Sequence, residues 1–259
     1  MNVADYSTIR FSVRDHVAEV CIDRPPANAL NMQVYQELRD AFTVISESES
    51  TEIRAAILTG TGKYFCAGRD MKSADKDPVE KRNAMNRAAH FAVYHCAVPL
   101  IAAVNGAALG GGLTFVLESD IILAAQNATF GLPEINVGLA GGLAATRRGL
   151  NVYQGRMLYF TGRPVDADYM HTAGVVDTVT SADDLMPAAW DLALDIASKS
   201  PVAVRAAKWS ANEIEKILDY EQANRAIQSR VTLALAATDD HKEAIRAFAE
   251  KREPVFKGR

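Results

Sequence analysis

Three consecutive glycines, Gly110 to Gly112, open a segment whose pattern predicts a helix over Gly111–Ser119. Glycine inside a helix costs about 1 kcal/mol relative to alanine, so three together need a reason. A helix N-terminus presents unpaired backbone N–H groups, and glycine lets a ligand approach them closely. The segment therefore predicts a backbone site for a small negatively charged oxygen. Tight packing at a helix crossing is the alternative explanation.

A second glycine-containing turn, Phe65 to Asp70, follows the predicted strand Ala55–Thr59. The three glycines follow the predicted strand Leu100–Val104 in the same way. Two such turns after two neighbouring strands would supply the two N–H donors of an oxyanion hole, the site that stabilises a developing oxygen anion. Glycines retained for close packing are again the competing explanation.

The spacing of glycine, serine and histidine excludes several other kinds of site. A dinucleotide-binding GxGxxG motif beginning at Gly110 would need glycine at position 115, which is Phe115. The sequence contains no GxSxG nucleophile motif. His90, His95 and Cys96 are the nearest approach to a metal-ligand set, but this grouping fits a partly buried helix face better.

The elements that must position the two turns alternate between strands and helices. Short runs rich in Val and Ile predict strands at Ile9–Val13, Val17–Asp23, Ala55–Thr59, Leu100–Val104, Ile121–Ala125 and Val175–Thr178. Amphipathic periodicity predicts helices at Met32–Ser48, Val79–Ala97, Gly111–Ser119, Ala188–Ser198, Val202–Leu218, Tyr220–Ala237 and Asp240–Lys251. We therefore predict an α/β core over residues 1–185 and a helical C-terminal region over residues 186–259.

Composition indicates an ordinary globular protein. The 259 residues are 49% hydrophobic and 23% charged, and the net charge of −4 carries no basic excess that would favour nucleic acid. The three cysteines form no CxxC pair, and neither a signal-peptide core nor a membrane-spanning run is present. We expect a cytoplasmic protein that binds neither nucleic acid nor membranes.

Five ordered blocks of the sequence resemble the crotonase (enoyl-CoA hydratase/isomerase) superfamily. They are FCAGRDM at 65–71, PLIAAVNGAALGGG at 99–112, SDIILAAQNATFGLPEINVG at 119–138, TGRPVDADYMHTAGVVDTV at 161–179 and AFAEKREPVFKGR at 247–259. The resemblance covers nearly the whole chain. It implies a crotonase-like ββα spiral core with a C-terminal helical trimerisation region, and a homotrimer or a hexamer built as a dimer of trimers. It also implies an acyl-CoA substrate, with coenzyme A carried in the thioester and no metal or redox cofactor.

In this family the two glycine turns hold the thioester carbonyl oxygen. The resemblance therefore implies that the backbone N–H groups of Ala67 and Gly111 are the two donors. It further implies coenzyme A contacts along the first turn and from a neighbouring C-terminal helix. These contacts are Arg24, Ala27, Ala67, Gly68, Arg69, Asp70 and Gly111, with Phe248 and Lys251 on the helix. For Arg69, a solvated loop arginine is the alternative to a contact with a phosphate or an acidic acyl group.

The acid/base residues depart from the usual family pattern. Hydratases of the family place two glutamates across the bound alkene, and those positions correspond to Thr114 and Glu134 here. Because a threonine hydroxyl cannot act as a general base near neutral pH, the resemblance implies Glu134 as the single acid/base, with Thr114 positioning water or substrate. Glu118 lies one helical turn beyond Thr114. It is either a displaced second carboxylate or an ion-pair partner of Arg147 or Arg148.

Single-glutamate members of the family leave the reaction open. They include enoyl-CoA isomerases, which move one proton between carbons, and hydratase-lyases that act on aryl-propenoyl-CoA thioesters. The tail over 247–259 is instead similar to hydratases and carnitinyl-CoA dehydratases. A third hypothesis is a catalytically weak protein that binds coenzyme A or serves in assembly. The sequence predicts an enzyme of the enoyl-CoA hydratase/isomerase type without fixing its acyl group.

Overall fold

The computed structural model describes residues 5–72 and 78–259. The first residues of the predicted core, and of the N-terminal stretch searched for a signal peptide, therefore lie outside the described residues. No helix in the described ranges combines the length and apolar character that crossing a bilayer requires.

The larger sheet carries the hydrophobic core. Its strands, in spatial order, are β1 (Ile9–Arg14), β2 (Val17–Ile22), β3 (Ala55–Gly60), β5 (Leu100–Val104), β7 (Ile121–Ala125) and β10 (Thr178–Thr180). The pair β1–β2 is antiparallel, and the other neighbours are parallel. Every residue of β5 is buried, as is typical of a parallel strand covered on both faces.

A second, smaller sheet lies beside the first. Its strands, in spatial order, are β4 (Tyr64–Cys66), β6 (Ala107–Leu109), β8 (Thr129–Gly131) and β9 (Val165–Asp166). Strands β3, β5 and β7 of the larger sheet are each followed within a few residues by a strand of the smaller one. Because the chain passes repeatedly from the larger sheet to the smaller one, β4 and β6 pair side by side. Both glycine turns begin at the ends of these two strands.

Helices cover both faces of the larger sheet. In chain order, the helices up to residue 197 are α1 (Met32–Glu47), α2 (Val79–Tyr94), α3 (Gly111–Glu118), α4 (Leu143–Thr146), α5 (Val152–Thr161), α6 (Ala167–Thr172) and α7 (Leu185–Ala197). Side chains of α1 share one core cluster with alternate strand residues such as Val20 and Leu58, whereas α7 packs against the opposite set, including Ile57 and Ile101. The alternation follows from the two-residue period of a strand.

The C-terminal region is helical, as predicted. It comprises α8 (Pro201–Ile214), α9 (Tyr220–Ala223), a π-helical turn (Asn224–Gln228), α10 (Ser229–Ala236) and α11 (Asp239–Glu250). The division of the chain at residue 185 stays a prediction. Helix α7, which lies C-terminal to this division, packs against the larger sheet.

The strand predicted at Val175–Thr178 is wrong in position, because the strand occupies Thr178–Thr180. The amides of Val175 and Val176 both donate to the carbonyl of Met170, so these residues complete the turn that ends α6. The short strands of the smaller sheet and the helices α4 to α6 were not predicted.

Candidate active site

The two glycine turns lie against each other, as the oxyanion-hole hypothesis requires. A Cβ atom on Gly68, whose φ is +82°, would lie 2.7 Å from the carbonyl oxygen of Leu109 and 3.5 Å from the Cα of Gly110. A Cβ on Gly112 would lie 2.8 Å from the Cβ of Cys66. Only glycine allows the backbones to approach this closely, so packing and ligand access are served by the same residues.

The amide of Gly111 is available to a ligand. Gly111 is the first residue of α3, and the helix bonds begin with the Thr114 amide donating to the carbonyl of Gly110 at 3.0 Å. The amide of Gly110 itself donates to the carbonyl of Gly131 at 2.8 Å. Because the first amides of a helix have no acceptor within it, the N–H of Gly111 is left at the positive end of the helix dipole.

The predicted donor in the other turn needs correction. The amide of Ala67 donates to the carbonyl of Ala27 at 3.0 Å, so it is bonded within the chain. Arg69 forms a parallel bridge with Leu30, in which the carbonyl of Gly68 and the amide of Asp70 both bond to Leu30. Since successive groups of an extended backbone point to opposite sides, the amide of Arg69 points away from Leu30. Arg69 therefore replaces Ala67 as the candidate donor.

Glu134 lies beside the first glycine turn. It sits on a 3-10 turn (Pro133–Val137) that follows β8, and its carboxyl carbon would be 3.1 Å from a Cβ on Gly110. Its Oε2 is buried and accepts no hydrogen bond from the described residues. Burial raises the pKa of this carboxyl above its usual range. A carboxyl that is harder to ionise is a stronger base and transfers a proton more readily near neutral pH.

Thr114 lies on α3 in the same region as Glu134. Its hydroxyl donates to the carbonyl of Gly110 at 3.3 Å, and its Oγ1 would be 3.4 Å from a Cβ on Gly142. Thr114 and Glu134 therefore flank the same glycine from two elements. The hydroxyl oxygen keeps lone pairs with which it can accept a hydrogen bond from water or substrate.

The partner proposed for Glu118 is wrong. Glu118 is bonded to His90, whose Nδ1 lies 2.8 Å from Oε2, rather than to Arg147 or Arg148. The guanidinium of Arg148 donates to the carbonyl of Leu117 at 2.8 Å. Burial raises the pKa of the Glu118 carboxyl, and the hydrogen bond to His90 partly opposes that shift.

Some of the residues predicted to bind coenzyme A meet at the Arg69 turn. Arg24 forms an ion pair with Asp70, with Nη2 and Oδ2 2.7 Å apart, and donates to the carbonyl of Ala29 at 2.8 Å. Ala27 contacts this turn through its carbonyl, and the Arg69 side chain is exposed.

Phe248 and Lys251 are not brought to this site within one chain. Phe248, on α11, is 87% exposed, and Lys251 follows the end of that helix. The buried Asp240 of α11 accepts hydrogen bonds from Ser200 and from the amides of Lys257 and Gly258. These bonds hold α11 to the start of α8 and to the C-terminal tail rather than to the glycine turns.

Sequence reasoning missed the polar residues behind Gly111. The Tyr35 hydroxyl and His90 Nε2 would lie 3.4 and 3.8 Å from a Cβ on Gly111, and Asn86 donates to that hydroxyl at 2.9 Å. Tyr35 was not singled out in the sequence, and His90 was considered as a metal ligand or as part of a partly buried helix face. Across residues 5–72 and 78–259, no group of three or more His, Cys, Asp or Glu side chains is placed to hold a metal ion.

Comparison with known proteins identifies the class to which this fold and site belong. The family model for enoyl-CoA hydratase/isomerase matches residues 12–259. The 2,3-dehydroadipyl-CoA hydratase of Escherichia coli is 35% identical over 98% of this chain and 100% of its own length. The carnitinyl-CoA dehydratase of Proteus mirabilis is 34% identical over 97% of this chain and 99% of its own length. The enoyl-CoA hydratase of Bacillus anthracis superposes with a TM-score of 0.92 at 32% identity, over 98% of this chain and 100% of that one.

The protein is an enzyme with the crotonase fold. The chain belongs to the enoyl-CoA hydratase/isomerase family. The resemblance and the α/β fold class inferred from the sequence are thereby confirmed.

Proposed function

We propose that this enzyme stabilises the enolate of an acyl-CoA thioester between the amides of Gly111 and Arg69, with Glu134 as its single acid/base. The observation that carries the proposal is the buried, unpartnered Oε2 of Glu134, on a carboxyl that lies against Gly110 and next to the free amide of Gly111. Removal of a proton next to a thioester carbonyl requires a base and an oxyanion donor that lie close together in space, as Glu134 and Gly111 do.

The proton and electron movements follow from this arrangement. The Glu134 carboxylate takes a proton from the carbon next to the thioester carbonyl, and the electron pair moves onto the carbonyl oxygen. The two amides stabilise the negative charge there. The protonated Glu134 then returns the proton to another carbon of the conjugated enolate, which moves the double bond. In hydration the same carboxylate accepts a proton from water while the water oxygen bonds to the β carbon, and the electron pair of the double bond moves onto the thioester oxygen. The protonated carboxyl then delivers its proton to the α carbon as the thioester carbonyl re-forms.

The position of Glu118 favours chemistry with one carboxyl. Its carboxylate is bonded to His90 on the face of α3 toward α2, so it is not free to hold water opposite Glu134. Thr114 occupies the position nearer the glycine turn and contributes only a hydroxyl. Proton transfer by one carboxyl serves an enoyl-CoA isomerase, and a hydroxyl at this position also suits a hydratase-lyase acting on aryl-propenoyl-CoA.

A panel of thioesters tests the proposal. The purified enzyme would be offered 2-enoyl, 3-enoyl and aryl-propenoyl-CoA in labelled water, and the products analysed by mass spectrometry. Conversion of 3-enoyl to 2-enoyl-CoA with transfer of one hydrogen indicates an isomerase, whereas cleavage of the aryl substrate indicates the lyase. Saturable binding of coenzyme A without turnover of any substrate would contradict the enzymatic proposal and favour the assembly protein.

Thr114→Glu should create the carboxylate pair that hydration normally uses. Two carboxylates would hold a water between them, and positioning of this kind is worth several kcal/mol. We expect the variant to gain hydration of crotonyl-CoA and to lose native activity, both measured by absorbance of the conjugated thioester. Thr114→Ser is the matched control, because it keeps the hydroxyl. A wild-type enzyme that already hydrates crotonyl-CoA efficiently, and loses this activity in Glu118→Gln, would contradict the single-carboxyl mechanism.

We further propose that the enzyme is a homotrimer or a hexamer, in which a neighbouring subunit supplies Phe248 and Lys251 to enclose coenzyme A. Large apolar side chains of the C-terminal helices are exposed in the single chain, including Leu233 (74%), Ile245 (58%) and Phe248 (87%). Apolar surface of this extent favours assembly. Light scattering at micromolar concentration should give the mass of three or six chains. A monomer at that concentration would contradict enclosure between subunits.

A further inference from the structure

A buried acid–histidine pair lies behind the proposed oxyanion hole and has no part in the proton transfers described above. His90 on α2 and Glu118 on α3 are bonded at 2.8 Å, and their side chains are only 9% and 12% exposed. Burying two such groups is costly unless they are paired. The pair therefore requires an explanation beyond helix packing, because an apolar contact would join α2 and α3 at lower cost.

The imidazole ring of His90 lies against one face of helix α3. Gly111, Phe115 and Glu118 fall on one face of that helix, because residues three, four and seven apart lie one above another. The His90 ring stacks on the Phe115 ring with centroids 4.0 Å apart. Its Nδ1 is held at Glu118, whereas Nε2 would lie 3.8 Å from a Cβ on Gly111. With standard backbone dimensions, Nε2 is within about 6 Å of the Gly111 amide nitrogen.

The hydrogen bond to Glu118 determines how the His90 ring is oriented. A carboxylate only accepts hydrogen bonds, so the Nδ1 of His90 is the donor to Glu118. This bond and the stacked Phe115 ring leave Nε2 at the Gly111 end of α3.

Tyr35 also lies at this point. Its hydroxyl accepts a hydrogen bond from Asn86 and would lie 3.4 Å from a Cβ on Gly111. Burial raises the pKa of Tyr35 above its usual range, so the phenol is neutral at physiological pH. The Tyr35 hydroxyl and the His90 ring together form the polar surface behind Gly111.

We propose that His90, oriented by Glu118, is a positioning residue that strengthens the oxyanion hole through Gly111. Its ring, held by Glu118 and Phe115, packs behind the residue whose amide holds the thioester oxygen. It thereby keeps that amide aimed at the oxygen, which favours the enolate over the neutral thioester. This inference rests on the proposed function, because Gly111 must bind that oxygen. It assigns Glu118 an indirect role through His90, in place of direct contact with the substrate.

The test is the carbonyl stretching frequency of a bound, carbonyl-labelled saturated acyl-CoA, together with turnover of the best substrate from the panel. His90→Gln keeps a hydrogen-bond donor toward Glu118 and removes the ring that stacks on Phe115 and packs behind Gly111. We expect kcat to fall about 10-fold, less than for loss of a direct oxyanion donor, with KM changed by less than about 2-fold. The bound carbonyl frequency should shift toward that of the free thioester, and Glu118→Gln should shift it in the same direction.

Asp120→Asn is the matched control. Asp120 follows α3 and forms an ion pair with the buried Lys208 at 2.6 Å. This variant should lower the melting temperature while leaving kcat and the carbonyl frequency unchanged. If His90→Gln also lowers only the melting temperature, the proposal is overturned and His90 is structural.

The two readouts separate this inference from the proposed function. The carbonyl frequency needs only binding, so it tests His90 even if the panel finds no turnover. A wild-type frequency shift that disappears in His90→Gln supports the inference whatever the reaction. A thioester that fails to bind the wild-type protein overturns both proposals.

Discussion

Glu134→Gln should reduce kcat by about 10²- to 10⁴-fold, the range for loss of a general base. The amide retains the size and hydrogen-bonding atoms of the carboxyl but cannot accept the substrate proton. Because the proposed thioester donors are backbone amides, affinity for coenzyme A should be nearly unchanged. Steady-state kinetics on the best panel substrate and calorimetric titration with coenzyme A measure the two effects separately.

The same substitution should change stability in a pH-dependent way. Burial raises the pKa of Glu134 in the native state, so the folded protein binds this proton more tightly than the unfolded chain does. The contribution of Glu134 to stability is therefore present at low pH and is lost as the pH rises through the native pKa. Glutamine does not ionise, so the variant does not undergo this loss of stability. The difference in melting temperature between Glu134→Gln and the wild type should therefore shift in favour of the variant as the pH is raised from 5 to 8, as measured by calorimetry.

Glu118→Gln is the comparison variant for the loss of kcat in Glu134→Gln. Glu118 is also a carboxyl whose pKa is raised by burial. Glu118→Gln should cost only about 10-fold in kcat, because in our proposal Glu118 acts through His90 at a distance from the reacting atoms. Near-normal turnover by Glu134→Gln, together with a large loss in Glu118→Gln, would reverse the two roles.

The parts of the fold predicted from the sequence are those encoded by local patterns. Strand β5 is a run of five buried apolar residues, and α1 repeats its buried positions every three or four residues. Strands β4, β6 and β8 have three residues each, too few to show a period. They form only because pairing between distant segments satisfies their backbone groups, so no local pattern could reveal the smaller sheet.

The same distinction explains the candidate site. The glycine turns were found because glycine is a local signal, and their contact followed from the expectation that neighbouring strands precede them. The choice between Ala67 and Arg69 as donor depends on a bridge to Leu30, which no spacing within the turn encodes. The pairing of His90 with Glu118 joins residues 28 positions apart on two helices. Each of these contacts is set by tertiary packing.

Gly110→Ala should lower both activity and stability, and its effect on activity should be the larger. Gly110 has φ +54° and ψ −122°, a conformation that residues with a side chain rarely adopt. Its added methyl group would meet Oε1 of Glu134 and lie 3.1 Å from the carboxyl carbon. Either the carboxyl or the peptide leading to Gly111 must move. A displacement of about 1 Å can cost 10²-fold in rate. We expect at least that loss in kcat, with about 1–3 kcal/mol of unfolding free energy from backbone strain.

Gly62→Ala separates strain from displacement. Gly62 also has a positive φ, +68°, but a Cβ there would meet nothing within 4 Å. This variant should lose stability in urea unfolding and keep its activity. The double variant Gly110→Ala, Glu134→Gln completes the argument, because a methyl that acts by displacing Glu134 has little left to displace once the base is gone. Its kcat should then lie close to that of Glu134→Gln alone. Losses that multiply would instead show that Gly110→Ala damages the Gly111 amide independently of Glu134.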